Sequence, residues 1–213
     1  MSGGNNLRIQ ISDTIRDSIV SGSLPPGTRI NESRLSAEYG VSRTPLREAL
    51  FTVERLGLLD ADPRRGFFVT PLSAREVREL YPLGRTLDLL AVRTAGEMPV
   101  PVVKRLAKIN AEFRAARRVP ETARLADRRF HRTIVDRCPN RRLLAMLETV
   151  QAGIERYERI YMSDADDVER SARSHDQIVD AFRRDDLERV EHVVGETWDY
   201  SARRLLVALG EQP

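Results

Sequence analysis

Polar and apolar positions give the chain two textures. Up to Thr70, short amphipathic stretches alternate with turn residues, and from Ser73 onward long stretches of helical period follow one another. Leu7, Ile11, Ile15 and Ile19 repeat at i, i+4 and predict a helix from Leu7 to Ser21 that Gly22 ends. After the turn "SGSLPPGTRI", Asn31 or Ser33 can cap a short helix through Tyr39, and Gly40 breaks it. In "GVSRTPLREALFTVERLGLL" a helix opens between Ser42 and Thr44, because Pro45 is tolerated only in a first turn, where its missing N–H would have had no partner. Leu46, Ala49, Leu50, Val53 and Leu56 lie along one side of it, whereas Thr44 and Arg47 point away. "LLDADPRRGFFVT" then reads as two short strands about a turn containing Pro63 and Gly66, and Pro71 marks a boundary.

The second half predicts six helices. Ser73 with Glu76 forms a capping box that launches the first, to about Gly96. Pro101 and Pro120 open the next two, which run to about Arg118 and Arg137. Asn140 caps a fourth with apolar Leu143, Leu144, Leu147, Val150 and Ile154, and the last two cover Asp166 to Arg184 and Asp186 to Leu209. Pro82 sits inside the first of these helices, where it removes a hydrogen bond and crowds the Arg78 carbonyl, so a kink or local break is expected. The fold class expected is mainly α: an N-terminal winged helix-turn-helix with a small β-hairpin wing over residues 1–71, then an all-α antiparallel helical bundle over residues 72–213.

Composition changes this picture little. The chain has 213 residues, 41% hydrophobic and 31% charged, enough for two cores, and its formal net charge is only +3. A nucleic-acid function must therefore rest on where particular arginines sit, not on mean charge. Cys138 has no partner for an internal disulfide, no apolar signal core opens the sequence and no run reaches the roughly 18 apolar residues of a membrane span. A soluble, cytoplasmic protein without membrane association is expected.

The start of the helix in the opening motif is rich in hydroxyls, free amides and arginine, groups suited to phosphate oxygens and, for Arg, to a guanine edge. Helix, turn, helix and a basic hairpin with Arg64, Arg65 and Gly66 is the order of a winged helix-turn-helix, whose second helix enters the major groove. Gly66 would allow a close approach of the wing backbone to DNA. Residues 7–70, above all "VSRTPLREAL", resemble the DNA-binding domain of GntR-type bacterial transcription regulators. The resemblance implies that Arg43, Thr44 and Arg47 contact bases or phosphates, that Ser33 and Ser42 add phosphate contacts, and that Arg65 and Gly66 lie at the wing. It also implies a homodimer on a palindromic double-stranded operator.

Asp127 and His131 stand at i, i+4 in "DRRFH", where a carboxylate and an imidazole can share one metal ion, although such pairs are more often surface hydrogen bonds. The half from Ser73 to Leu209 resembles the FCD ligand-binding domain of the FadR-like branch of those regulators. The resemblance implies His175 as a third ligand of a divalent transition metal, zinc- or nickel-like, and a small-molecule effector, commonly a carboxylate. Its remaining histidine position falls on Thr197, and the Glu and Arg usual in the first bundle helix fall on Pro82 and Gly84. His192 is five residues from Thr197, about 140° round the helix, and is expected to be exposed. Arg85, Arg124 and Thr197 are the candidate effector contacts, while Tyr157, Tyr161, Trp198 and Tyr200 are expected to pack. A regulator that senses an effector, and not an enzyme, is the function expected. A constitutive DNA binder without metal or effector remains an alternative, and a metal hydrolase using Asp127, His131 and His175 a remote one, because no general base or oxyanion donor can be identified.

Overall fold

The computed structural model describes residues 2–211, with backbone alone at its first few positions. Its order is α1 (Ser2–Val20), α2 (Glu32–Glu38), α3 (Arg43–Arg55), β1 (Leu59–Asp62), β2 (Gly66–Val69), α4 (Ala74–Ala95), α5 (Val100–Ala115), α6 (Pro120–Val135), α7 (Arg141–Tyr161), α8 (Ala165–Arg183) and α9 (Leu187–Ala208). The chain divides after Leu72 into two compact units.

In the first unit α1 packs on α3, and α2 and β1 pack on the same helix. The apolar stripe explains it: Leu46, Ala49, Leu50 and Val53 are fully buried, and Ile11, Ile15 and Ile19 of α1 and Leu35 of α2 are buried on the helices that pack against α3. Asn31, not Ser33, caps α2, its side chain accepting from the Arg34 N–H at 2.9 Å. β1 and β2 pair antiparallel with Leu59 opposite Val69 and Asp62 opposite Gly66. The turn "PPGTRI" adds a short third rung that the sequence reading did not anticipate, since Ile30 N–H donates to Phe67 O and Val69 N–H to Thr28 O, each at 2.8 Å. Phe67 is buried under α3, edge-on to Phe51 with ring centroids 5.1 Å apart.

In the second unit α4 packs on α7 and α9, and α5 on α6 and α8, with α8 against α9. Ser73 caps α4 by accepting from the Glu76 N–H at 3.1 Å, and Asn140 caps α7 through the amides of Arg142 and Leu143. α4 passes through Pro82 as one continuous helix of 22 residues, so the expected break does not occur. Pro82 and Arg78 both lie on the exposed face, where water can satisfy the carbonyl left without a donor, while buried Tyr81, Gly84 and Asp88 anchor the opposite face. Tyr157 is fully buried, and its hydroxyl is bonded to Ser73 and to Glu76. Among the described residues no helix is long and apolar enough to cross a membrane.

Candidate functional site

The first unit presents an exposed polar edge. Ser42 is the N-cap of α3, yet its hydroxyl makes no capping bond, and Ser42, Arg43 and Thr44 are all exposed at the helix start. Free amides, the positive end of the helix dipole and a guanidinium thus meet at one place, which is the arrangement an anion or a phosphate favours. Arg43 Nη2 donates to Ser33 Oγ at 3.5 Å, joining α2 to this edge. Arg47 lies one turn on, half-exposed, and donates through Nη1 to both carboxylate oxygens of Glu32 at 3.1 and 3.2 Å. Its guanidinium also lies 5.8 and 5.6 Å from the ring centroids of Phe51 and Phe67. Glu32 thereby aims Arg47, a role the sequence reading did not assign.

At the hairpin tip Asp62 Oδ1 accepts from the Arg64 and Arg65 amides at 2.8 and 3.0 Å, which closes the turn. Gly66 follows with φ of +87°, a conformation in which an L side chain would be strained. The Arg65 guanidinium stacks on Phe68 at 4.8 Å, and the Arg65 carbonyl accepts from Arg29 Nε at 3.0 Å.

In the second unit Asp127 and His131 of α6 meet His175 of α8. His175 Nε2 is 3.4 Å from Asp127 Oδ1 and 3.3 Å from His131 Nε2, and His131 Nε2 is 3.9 Å from Asp127 Oδ2. Ligand atoms bound to one transition-metal ion at about 2.1 Å stand roughly 3.0–3.4 Å apart in octahedral or tetrahedral geometry, so these donors need little adjustment to share an ion. The chemistry of the set fits as well. Burial holds His175 well below the usual imidazole range, keeping it neutral as a ligand must be, while burial pushes the Asp127 carboxyl up against the opposing pull of His131. His175 is fully buried and stacked on Phe130, with centroids 3.8 Å apart, whereas His131 is partly exposed and leaves a side open.

Thr197 does not supply what a histidine as fourth ligand would. Its hydroxyl donates to the Val193 carbonyl at 2.9 Å, leaving only a neutral oxygen lone pair. His192 lies on the exposed face of α9, 3.5 Å from Glu196. Arg85 is partly exposed, its Nε 3.2 Å from Asp199 Oδ1, close enough for an ion pair though not aligned as a hydrogen bond. Arg124 is buried, and Glu121 holds it through Nε at 3.1 Å and Nη2 at 2.6 Å. Its Nη1 has no hydrogen-bond partner among the described residues and stands 4.0 Å from Glu158 Oε2, which likewise has none. Burial, with Asp127 and Glu155 nearby, pushes the Glu158 carboxyl up to about 8.

Of the interior polar residues that escaped the sequence reading, three bear on the groups above. Glu158 is one. Asp88 of α4 is another, buried and accepting from Trp198 Nε1 at 2.9 Å. The third is Asn110 of α5, within hydrogen-bond distance of His175 Nδ1 at 3.1 Å. Asn110 falls inside the apolar stripe Val103, Leu106, Ile109, Phe113, and a polar residue in such a stripe is the signal that could have flagged it.

Comparison with known proteins agrees with both halves. The model of bacterial regulatory proteins of the gntR family matches residues 7–69, and the FCD domain model matches residues 79–199. An HTH-type transcriptional regulator of Bacillus subtilis, YdhC, is 31% identical over 208 residues, covering 95% of this chain and 92% of its own length. A probable D-xylose utilization operon transcriptional repressor of Paenarthrobacter nicotinovorans is 31% identical over 194 residues, 87% of this chain and 82% of its own. The solved structure of McbR/YncC from E. coli superposes with a TM-score of 0.81 at 20% identity, over 95% of this chain and 98% of that one, which is a likeness of fold.

Proposed function

The chain belongs to the GntR family of bacterial regulatory proteins and carries an FCD domain, and on that premise we propose that it is a homodimeric regulator whose operator affinity answers a metal-assisted small-molecule effector. It is a transcriptional regulator, as its relatives are. Arg43, Thr44 and Arg47 enter the major groove of a palindromic operator, Ser33 and Ser42 hold phosphates, and Arg65 with Gly66 approaches the duplex at the wing. Two half-sites need two copies of so small a reading head, hence the dimer.

Asp127, His131 and His175 hold a divalent ion, zinc- or nickel-like. When bound, the ion supplies a Lewis-acidic centre with positions left for water or an effector oxygen. Of the effector candidates, Arg124 is buried with an Nη1 that lacks a hydrogen bond, Arg85 pairs with Asp199 although its Nε likewise lacks one, and the Thr197 hydroxyl is bonded within its own helix. An effector shifts operator affinity only in proportion to its preference for one arrangement of the dimer over the other.

The observation that carries the sensing half is the convergence of three donor atoms from α6 and α8, in a neutral-histidine, buried-carboxylate setting. Selection from a random duplex library with the full-length protein should enrich a two-fold symmetric sequence. Metal analysis of the same preparation, made without chelator, should find about one transition-metal ion per chain. Failure to enrich any symmetric duplex overturns the operator reading, whereas enrichment with metal-free protein overturns the metal alone.

A further inference from the structure

Asn110 is 1% exposed and makes three polar contacts. Its Nδ2 lies 2.9 Å from the Ala172 carbonyl and 2.6 Å from Asp176 Oδ1, and its Oδ1 lies 3.1 Å from His175 Nδ1. A carbonyl and a carboxylate only accept, so the amide nitrogen must face them. Oδ1 is then left to face the imidazole, and since it too can only accept, His175 Nδ1 carries the ring proton. In a neutral imidazole that makes Nε2 a lone pair.

The lone pair looks at Asp127 Oδ1 and His131 Nε2, 3.4 and 3.3 Å away. An acceptor facing a carboxylate at that range is repulsive unless a cation or a proton lies between them. Phe130 stacked on one side of the ring and Phe113 at 5.2 Å restrict its rotation. Asn110 is itself gripped from outside, because Asp176 Oδ2 accepts from Arg114 Nη2 at 2.7 Å and Arg114 Nε reaches Glu169 at 3.3 Å.

We propose that Asn110 is a positioning residue for the metal centre: it sets the tautomer and rotation of His175 so that Nε2 is a ready ligand, and Asp176 with Arg114 holds Asn110 in that orientation. The proposal rests on the metal reading above and adds to it a residue on α5 that touches no ion.

The test uses full-length protein and the metals alone, Zn(II) and Ni(II), with affinities measured by competition against a chromogenic chelator. Asn110→Leu, with the same branching but larger and without polar atoms, removes the acceptor and should weaken binding about 10- to 100-fold. The double variant Asn110→Asp with Asp176→Asn restores an acceptor toward Nδ1 and reverses the donor between residues 110 and 176, but it sets a carboxylate oxygen against the Ala172 carbonyl, so it should recover only part of the loss. The visible spectrum of the Co(II) form should change in Asn110→Leu and return toward wild type in the double variant, a signature that a purely structural asparagine would not produce. Should Asn110→Leu fail to fold, Asp176→Ala, at an exposed carboxylate, reads the same contacts: a loss of up to about tenfold is expected, with an unchanged metal-free melting temperature. Wild-type affinity and cobalt spectrum in Asn110→Leu, or unchanged affinity in Asp176→Ala, would overturn the proposal. Failure of the wild-type protein to bind any of these metals would instead remove the metal reading and this proposal with it.

Discussion

Trp198 occupies the space that a side chain at position 84 would need. A Cβ on Gly84 would lie 2.6 Å from the Trp198 ring and 2.9 Å from Ile154 Cδ1, so α4 and α9 approach closely only because residue 84 is glycine. The indole is then fixed by Tyr81, edge-on with centroids 5.6 Å apart, and by its hydrogen bond to Asp88.

Two opposing effects set the outcome of Gly84→Ala. Helix propensity favours alanine over glycine by about 1 kcal/mol, whereas forcing a methyl into a packed contact costs about 1–3 kcal/mol. The contact is short and the ring rigid, so overpacking should win and the melting temperature should fall. Trp198 is the only tryptophan of the chain, and its fluorescence should shift in the folded variant. A variant that melts at or above the wild-type temperature would show that the helices can part without cost.

Arg47 and Glu32 form a pair whose direct worth is small, because Arg47 is half-exposed and surface ion pairs contribute about 0–1 kcal/mol. Their importance should appear on DNA. Arg47→Ala is expected to weaken binding to the selected operator by about 1–3 kcal/mol and to relax preference at one base pair of each half-site. Glu32→Gln keeps a hydrogen-bonding partner without the charge and should relax preference at that same base pair with a smaller loss of affinity. Fluorescence anisotropy on a set of single-base operator variants measures both, and unaltered affinity in Arg47→Ala would remove α3 from the groove.

The fold was legible where local rules decide. The stripe of α3 and the caps at Ser73 and Asn140 follow from neighbours within one turn, and the structure has them where the spacing puts them. Pro82 leaves α4 unbroken because its face of the helix meets water, and which face does so is not written in the neighbouring residues. The sequence alone places Asp127 and His131 together, one turn apart, but it cannot bring in His175 across 44 residues; only the family resemblance did that. Asn110 stands out only as a polar residue in an apolar stripe, since nothing near "KINAEF" indicates that its partner lies 65 residues downstream. Gly84 stands where the resemblance leads one to expect a polar residue, and its steric role appears only when Trp198 is seen against it.

Removing one ligand should separate sensing from operator recognition. Asp127→Asn preserves shape but takes away the anionic donor, so metal affinity should fall by at least an order of magnitude, while affinity for the selected operator in metal-free buffer should stay at the wild-type value. An ion that binds only the folded state at a hundred times its dissociation constant adds about 2.7 kcal/mol. Thermal melts with and without Zn(II) should therefore show a clear upward shift for wild type and little for Asp127→Asn. Equal shifts in the two proteins would place the ion elsewhere.

The metal-free protein should have a stability maximum on the acid side of neutrality, because two interior groups act in opposite directions. The Glu158 carboxyl is raised from 4.5 to about 8, so the folded state holds its proton more firmly than the unfolded chain does. Its contribution is complete below the unfolded value and is lost as pH rises through about 8. His175 is depressed below 6.5, so its contribution is present above that value and is lost as pH falls. Between pH 6 and 9 the first effect dominates and the metal-free melting temperature should decline. Glu158→Gln cannot ionise and should flatten that decline, with a gain of roughly 1–3 kcal/mol at pH 9 relative to wild type. Chemical denaturation at pH 6 and pH 9 on chelator-treated protein gives the comparison, and parallel losses in the two proteins would mean that Glu158 is ionised in the fold across this range, held by Arg124 and Arg128 in spite of its burial.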